Sequence, residues 1–187
     1  MGLSGKVSHK GQPEQQTAGL FTDAVPALVL GIGNILLGDE GAGVKAAAEL
    51  AVRYTLPPEV EMIDGGTMGL ELLPYLAGRR LMVIVDAVNT GAAPGTVVRL
   101  ELDDPSDFFR AKISPHQIGI AEVLGVATIT GELPGRVVLI GVVPKDLATG
   151  LDFSPEVAAQ IPRMAAMVAA ELEAAGFVLQ PRNLPGD

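Results

Sequence analysis

The sequence predicts a single α/β domain: a twisted, mixed, mostly parallel five-stranded sheet flanked by helices on both faces. Three observations lead there. Residues 27–31 and 81–86 are almost continuously apolar, as parallel strands covered on both faces are. Helix-start signals and apolar repeats at helical spacing separate most of the strand-like runs. The link 87–95, with Pro94-Gly95 as a turn, is too short for a parallel crossover, so a strand at 96–101 must run antiparallel.

Taken in order, the first strand (27–31) enters GIGNILLGDEGAGV, residues 31–44. Gly31 and Gly33 let the backbone turn tightly. Asp39 then suits an N-cap, and Asp39-Glu40 complements the dipole of a helix over 39–54. A short strand (60–63) leads to a helix over 67–78, begun by Thr67 and stopped by Gly78. The buried strand 81–86 and the antiparallel strand 96–101 follow. Ser114 as cap and Pro115 at the first helical position open a third helix, 115–125. The β-branched run 136–142 is the fifth strand. Ser154-Pro155-Glu156 starts the last helix, with Val157, Ile161, Met164, Val168 and Leu172 on one apolar face and a kink expected at Pro162.

At 187 residues and 48% apolar, the chain is long enough for one domain with a real core, and 4% aromatic content makes that core aliphatic. We assign 27–180 to the domain, 1–26 to a flexible N-terminal tail and 181–187 to a short C-terminal tail. Thirteen basic against 22 acidic residues give a net charge of −9, a poor balance for nucleic acid or an anionic membrane. No stretch has the character of a signal peptide or membrane span, so a cytoplasmic protein is expected. The lack of cysteine removes disulfides, thiolate nucleophiles and thiolate-ligated metals together.

Three polar side chains fall on one predicted rim. Glu40 follows the first strand, Asp86 ends the run Leu81-Met82-Val83-Ile84-Val85, and His116 begins the third helix. Ligands of open α/β sheets sit at the carboxyl ends of the strands. A carboxylate ending a buried strand needs a donor or a metal; a cap satisfied by loop amides is the competing reading for Asp86. At a helix N-terminus an imidazole stays neutral, the form that binds metal. Two carboxylates and one imidazole suit nickel, zinc, cadmium or manganese, with positions left open. The competing reading of Gly31-Ile32-Gly33 is a dinucleotide fingerprint, but Leu36 stands where its third glycine belongs and Asp39-Glu40 would repel a pyrophosphate. Asp64, ending the next apolar segment, would imitate the ribose-binding acid in that case.

With these residues in hand, the sequence resembles the nickel–iron hydrogenase maturation endopeptidases. The segments that carry the resemblance are GIGNILLGDEGAGV (31–44), EMIDGGTMGLELL (61–73), VIVDAV (83–88), APGTV (93–97), KISPHQIGIAEVL (112–124) and the stretch TGELP…LIGVVP (130–144), in register from Leu28 to about Gly176. The resemblance implies an endopeptidase that removes the C-terminal extension of the hydrogenase large-subunit precursor after nickel insertion. It implies Glu40, Asp86 and His116 as nickel-binding residues, and gives Asp64 a supporting catalytic role beside Asp86 and Glu40. Nickel would arrive with the precursor, with cadmium or zinc able to substitute. The expected partner is the immature large subunit, and the enzyme itself a monomer. Three mechanisms stay open: nickel as a recognition handle, a metal that polarises the carbonyl or activates water, and an aspartic-type general base at Asp64 or Asp86. The rival from another class is a dinucleotide- or metal-binding accessory protein without peptidase activity.

Overall fold

The computed structural model describes residues 26–102 and 117–183. In chain order these form β1 (Ala27–Ile32), α1 (Ala42–Arg53), β2 (Tyr54–Thr55), β3 (Val60–Gly66), β4 (Leu81–Ala87), β5 (Val97–Glu101), α2 (Gln117–Thr130), β6 (Val137–Val142), α3 (Pro155–Ala158), α4 (Ile161–Ala174) and β7 (Gln180–Pro181). Two 3-10 turns, Gly38–Gly41 and Leu70–Tyr75, complete the set. The main sheet has the order β3-β1-β4-β6-β5. β3, β1, β4 and β6 run parallel, and β5 pairs antiparallel with β6, as the short link 87–95 requires.

Side chains alternate across a strand, so each central strand feeds two cores. Ala27, Val29, Val83, Val85, Val138 and Ile140 face one layer, built with α1 and α4. Leu28, Leu30, Met82, Ile84 and Leu139 face the other, against α2 and the Leu70–Tyr75 turn. Continuous apolar runs are thus the mark of strands covered on both faces. Fully burying one such leucine is worth about 1.5–3 kcal/mol.

Several local expectations are corrected. The helix expected over 67–78 is only the 3-10 turn Leu70–Tyr75, because Pro74 lies inside it. A proline there lacks an N–H and its ring would collide with the carbonyl four residues back. The last helix is broken rather than kinked: α3 ends at Ala158 and α4 restarts at Ile161, with Pro162 in its first turn. The helix after β1 begins at Ala42, three residues later than expected, with Gly41 as a cap that makes no side-chain hydrogen bond. α2 runs past Gly125 to Thr130. Its expected start, Ser114-Pro115-His116, lies outside the described residues, as do residues 1–25 and 184–187 of the expected tails. A small antiparallel pair, β2 with β7, was not expected. No helix among the described residues is long and apolar enough to cross a membrane.

Candidate active site

The parallel strands end together. Gly31 in β1 is level with Asp64 of β3 on one side and Val85 of β4 on the other, so Asp86 lies one residue beyond that line. Glu40 reaches the same edge because the chain folds back sharply after β1. Gly33, at φ +130°, makes this possible: a Cβ there would sit 1.8 Å from the Glu40 carbonyl oxygen. Gly43 does the same for α1. A Cβ on it would lie 2.1 Å from the Val85 carbonyl oxygen and 2.3 Å from that of Ile32. The first turn of α1 therefore seats directly on the ends of β1 and β4, and the Gly38–Gly41 turn packs against β4.

Three predicted acids share this edge in different environments. Glu40 is 4% exposed and Asp86 is 2% exposed. Asp86 Oδ1 accepts the N–H of Ala87 at 2.7 Å. Asp64 is exposed, and its Oδ1 accepts the N–H of Gly66 at 3.0 Å. Between them the β1–β3 register shifts: Gly31 pairs with Asp64, but Ile32 pairs with Gly66. Gly65 is the extra residue, a bulge directly after Asp64, and pairing resumes beyond it at Ile32 and Gly66. Gly65 is buried, and a Cβ on it would press on Leu30 Cδ1 at 2.7 Å.

The fourth candidate, His116, lies outside the described residues. The chain resumes with α2, whose third residue packs on the loop beyond β3: a Cβ on Gly119 would lie 3.5 Å from Gly69 Cα. Among the described residues no three His, Asp or Glu side chains form a metal-sized group. Of the three expected donors, the described ones are Glu40 and Asp86, hard oxygen donors whose chemistry would suit a divalent cation in a chain without cysteine.

Asp39 does a different job from the one expected of it. It is not a helix cap. Its side chain is fully buried and fastens the segment after β6. Oδ2 accepts the N–H groups of Lys145 (2.8 Å) and Asp146 (3.0 Å) and the hydroxyl of Ser154 (2.8 Å). Oδ1 accepts the N–H of Ser154 at 2.7 Å. Burial pushes the Asp39 pKa up, but the N–H groups of Asp146, Lys145 and Ser154 and the serine hydroxyl hold it below the usual carboxylate value. The partners stand 106 to 115 residues away in sequence, so no local pattern announces them.

The family model described as "HycI: Hydrogenase maturation protease" matches residues 44–171. The chain is similar to hydrogenase 2 maturation protease of Escherichia coli, at 44% identity over 157 residues, which is 83% of this chain and 96% of that protein. In structure it is similar to the hydrogenase maturating endopeptidase HybD from E. coli, with a TM-score of 0.79 and 44% identity over 83% of this chain and 97% of that one. It is also similar to the NiFe hydrogenase maturation protease HybD from Thermococcus kodakarensis, with a TM-score of 0.66 and 27% identity over 78% of this chain and 97% of that one. By sequence and by fold, the chain belongs to the hydrogenase maturation protease family.

Proposed function

We propose that this protein is the cytoplasmic, monomeric endopeptidase that trims the C-terminal extension from the large-subunit precursor of a nickel–iron hydrogenase, and that it engages nickel already held by that precursor. The observation that carries the reading is the pair of buried carboxylates, Glu40 and Asp86, brought to one sheet edge in an acidic chain without cysteine. Two buried carboxylates on one sheet edge favour a divalent cation over any anion.

On this reading Glu40, Asp86 and His116 complete the coordination of the precursor's nickel and so position the scissile peptide. Held there, the ion would supply positive charge to polarise the scissile carbonyl. Asp64 takes the proton of the attacking water as the C–O bond forms and returns it to the leaving amine as the C–N bond breaks. Its exposure supports that role over Asp86, whose burial suits a ligand. The absence of cysteine leaves no thiolate for an acyl-enzyme route. Ile35, Leu36 and Leu151 are 55%, 57% and 71% exposed on the loops after β1 and β6, which suits a polypeptide substrate better than a small polar one.

Incubating the protein with nickel-loaded and nickel-free precursor, followed by mass spectrometry, tests the proposal. One short C-terminal segment should leave the loaded form, and the nickel-free form should stay intact. A coupling of about 3 kcal/mol would discriminate more than a hundredfold. Efficient trimming of the nickel-free precursor would overturn nickel recognition while leaving the peptidase reading standing.

A further inference from the structure

We propose that Asp39 is a positioning residue: it clamps the segment after β6 onto the Gly38–Gly41 turn and thereby fixes Glu40 for the reaction. The inference rests on the role given above to Glu40.

The clamp is built from two loops that leave different strands. In the sheet order, β4 lies between β1 and β6. A tie between the loops that follow β1 and β6 therefore spans the end of β4, where Asp86 sits. Four donors converge on the Asp39 carboxylate, three on Oδ2 and one on Oδ1. The backbones add to the tie. Asp39 N–H donates to the Asp146 carbonyl at 3.1 Å, Gly38 N–H to that of Gly150 at 2.9 Å, and Gly150 N–H to that of Leu36 at 2.9 Å. The next residue after Asp39 is Glu40, so a shift in the clamp moves Glu40 directly.

Only a carboxylate fits this place. Every partner of the Asp39 side chain is a donor, and an asparagine would aim its NH2 at one of them. A glutamate would add a methylene where the side chain has no exposure. Both Asp39 carboxylate oxygens are taken up by the protein's own donors, which leaves none for substrate, so it is no catalytic residue. Fixing catalytic geometry by groups outside the chemistry is a common device, and a displacement of about 1 Å costs about a hundredfold in rate.

The test uses the full chain and nickel-loaded precursor, with single-turnover rates, kcat, KM and melting temperature measured for Asp39→Asn, Glu40→Gln and the double variant. Asp39→Asn should lower kcat about tenfold to a hundredfold at an assay temperature where it is fully folded. KM should change less. The double variant should be no slower than Glu40→Gln alone, because the clamp acts through Glu40. Ser154→Ala, which removes one donor to Oδ2, should lower kcat severalfold with the same non-additivity, and Ser154→Thr should restore it. If Asp39→Asn does not fold, this serine pair decides. Wild-type kcat in folded Asp39→Asn or in Ser154→Ala overturns the proposal, as does an additive double variant. Wild-type rate in Glu40→Gln overturns the role of Glu40 itself, and the clamp's action through it, a result distinct from an inert Asp39.

Discussion

Asp64 and Asp86 leave neighbouring positions on one sheet edge, on strands flanking β1, yet one faces water and the other is 2% exposed. That difference separates their expected phenotypes. Asp86→Asn should abolish both precursor cleavage and cadmium binding, since it removes a proposed ligand. Asp64→Asn should slow cleavage by about a hundredfold or more, the usual size of a lost general base, and leave cadmium binding intact. Calorimetric titration beside the cleavage assay checks both; equal cadmium affinity in wild type and Asp86→Asn would remove Asp86 from the ligand set. Two helical glycines, one seated on the edge and one in open space, give a second contrast. Gly43→Ala drives a Cβ into two backbone carbonyls that have no room to move, and should cost about 3 kcal/mol in denaturant unfolding. Gly125→Ala, inside α2 with nothing within 4 Å of the added atom, should instead stabilise by about 0.5–1 kcal/mol.

The elements that were legible in the sequence are those whose physics is local. β1, β4 and β6 are read from apolar runs because a strand covered on both faces has no polar alternation to hide it. The antiparallel β5 follows from the length of the link 87–95 alone. The place of Asp86 on the edge was legible for a related reason, as a charge directly after such a run, and that of Glu40 from the glycine turn that follows β1. What the sequence concealed depends on contacts across space. Asp39 obeys the local rule for a cap, but Lys145, Asp146 and Ser154 offer its carboxylate more bonds than a helix start could. The Gly65 bulge is invisible because register belongs to a pair of strands. At Pro162 the local signal was right and its consequence misread. A proline in the first turn forfeits an N–H that would have no intrahelical partner, so the chain restarts α4 at Ile161 instead of bending one long helix. Pro162→Ala should therefore shift stability by no more than about 1 kcal/mol, without joining α3 to α4. Chemical denaturation and helix content by circular dichroism measure both. A loss of about 3 kcal/mol or more would mean that the ring does more than start the helix.

Across the whole molecule, a net charge of −9 opposes folding by self-repulsion, and the two arginines at the antiparallel end of the sheet offset part of it locally. Arg99 on β5 bonds Glu171 of α4 (Nε to Oε1, 2.5 Å) and Glu101 (Nη2 to Oε2, 3.1 Å). Arg136 bonds the same two acids, at 2.7 Å to Glu101 and 3.0 Å to Glu171. The hydrogen bonds from Arg136 and Arg99 bring Glu101 from its ordinary 4.5 down to about 2, and the bond from Arg99 lowers Glu171. An acid whose folded pKa is depressed contributes stability above its unfolded value, and loses it as pH falls through the folded one. The network should thus be fully present above about pH 5 and fade toward pH 2. Acid also neutralises the excess negative charge, which works the other way, so the wild-type curve alone mixes two effects. Comparing wild type with Glu171→Gln largely separates them, because the global charge differs by one in a chain with 22 acids. Glu171→Gln should melt below wild type at pH 7, and the gap should close as pH approaches 2. Because Glu101 and the arginines are partly exposed, 0.5 M salt should narrow the gap at pH 7 as well. Thermal melts of the two proteins at pH 7, 5, 4 and 2.5 measure the gap, and one that stays constant across that range would show that the ion pairs do not tie β5 and β6 to α4.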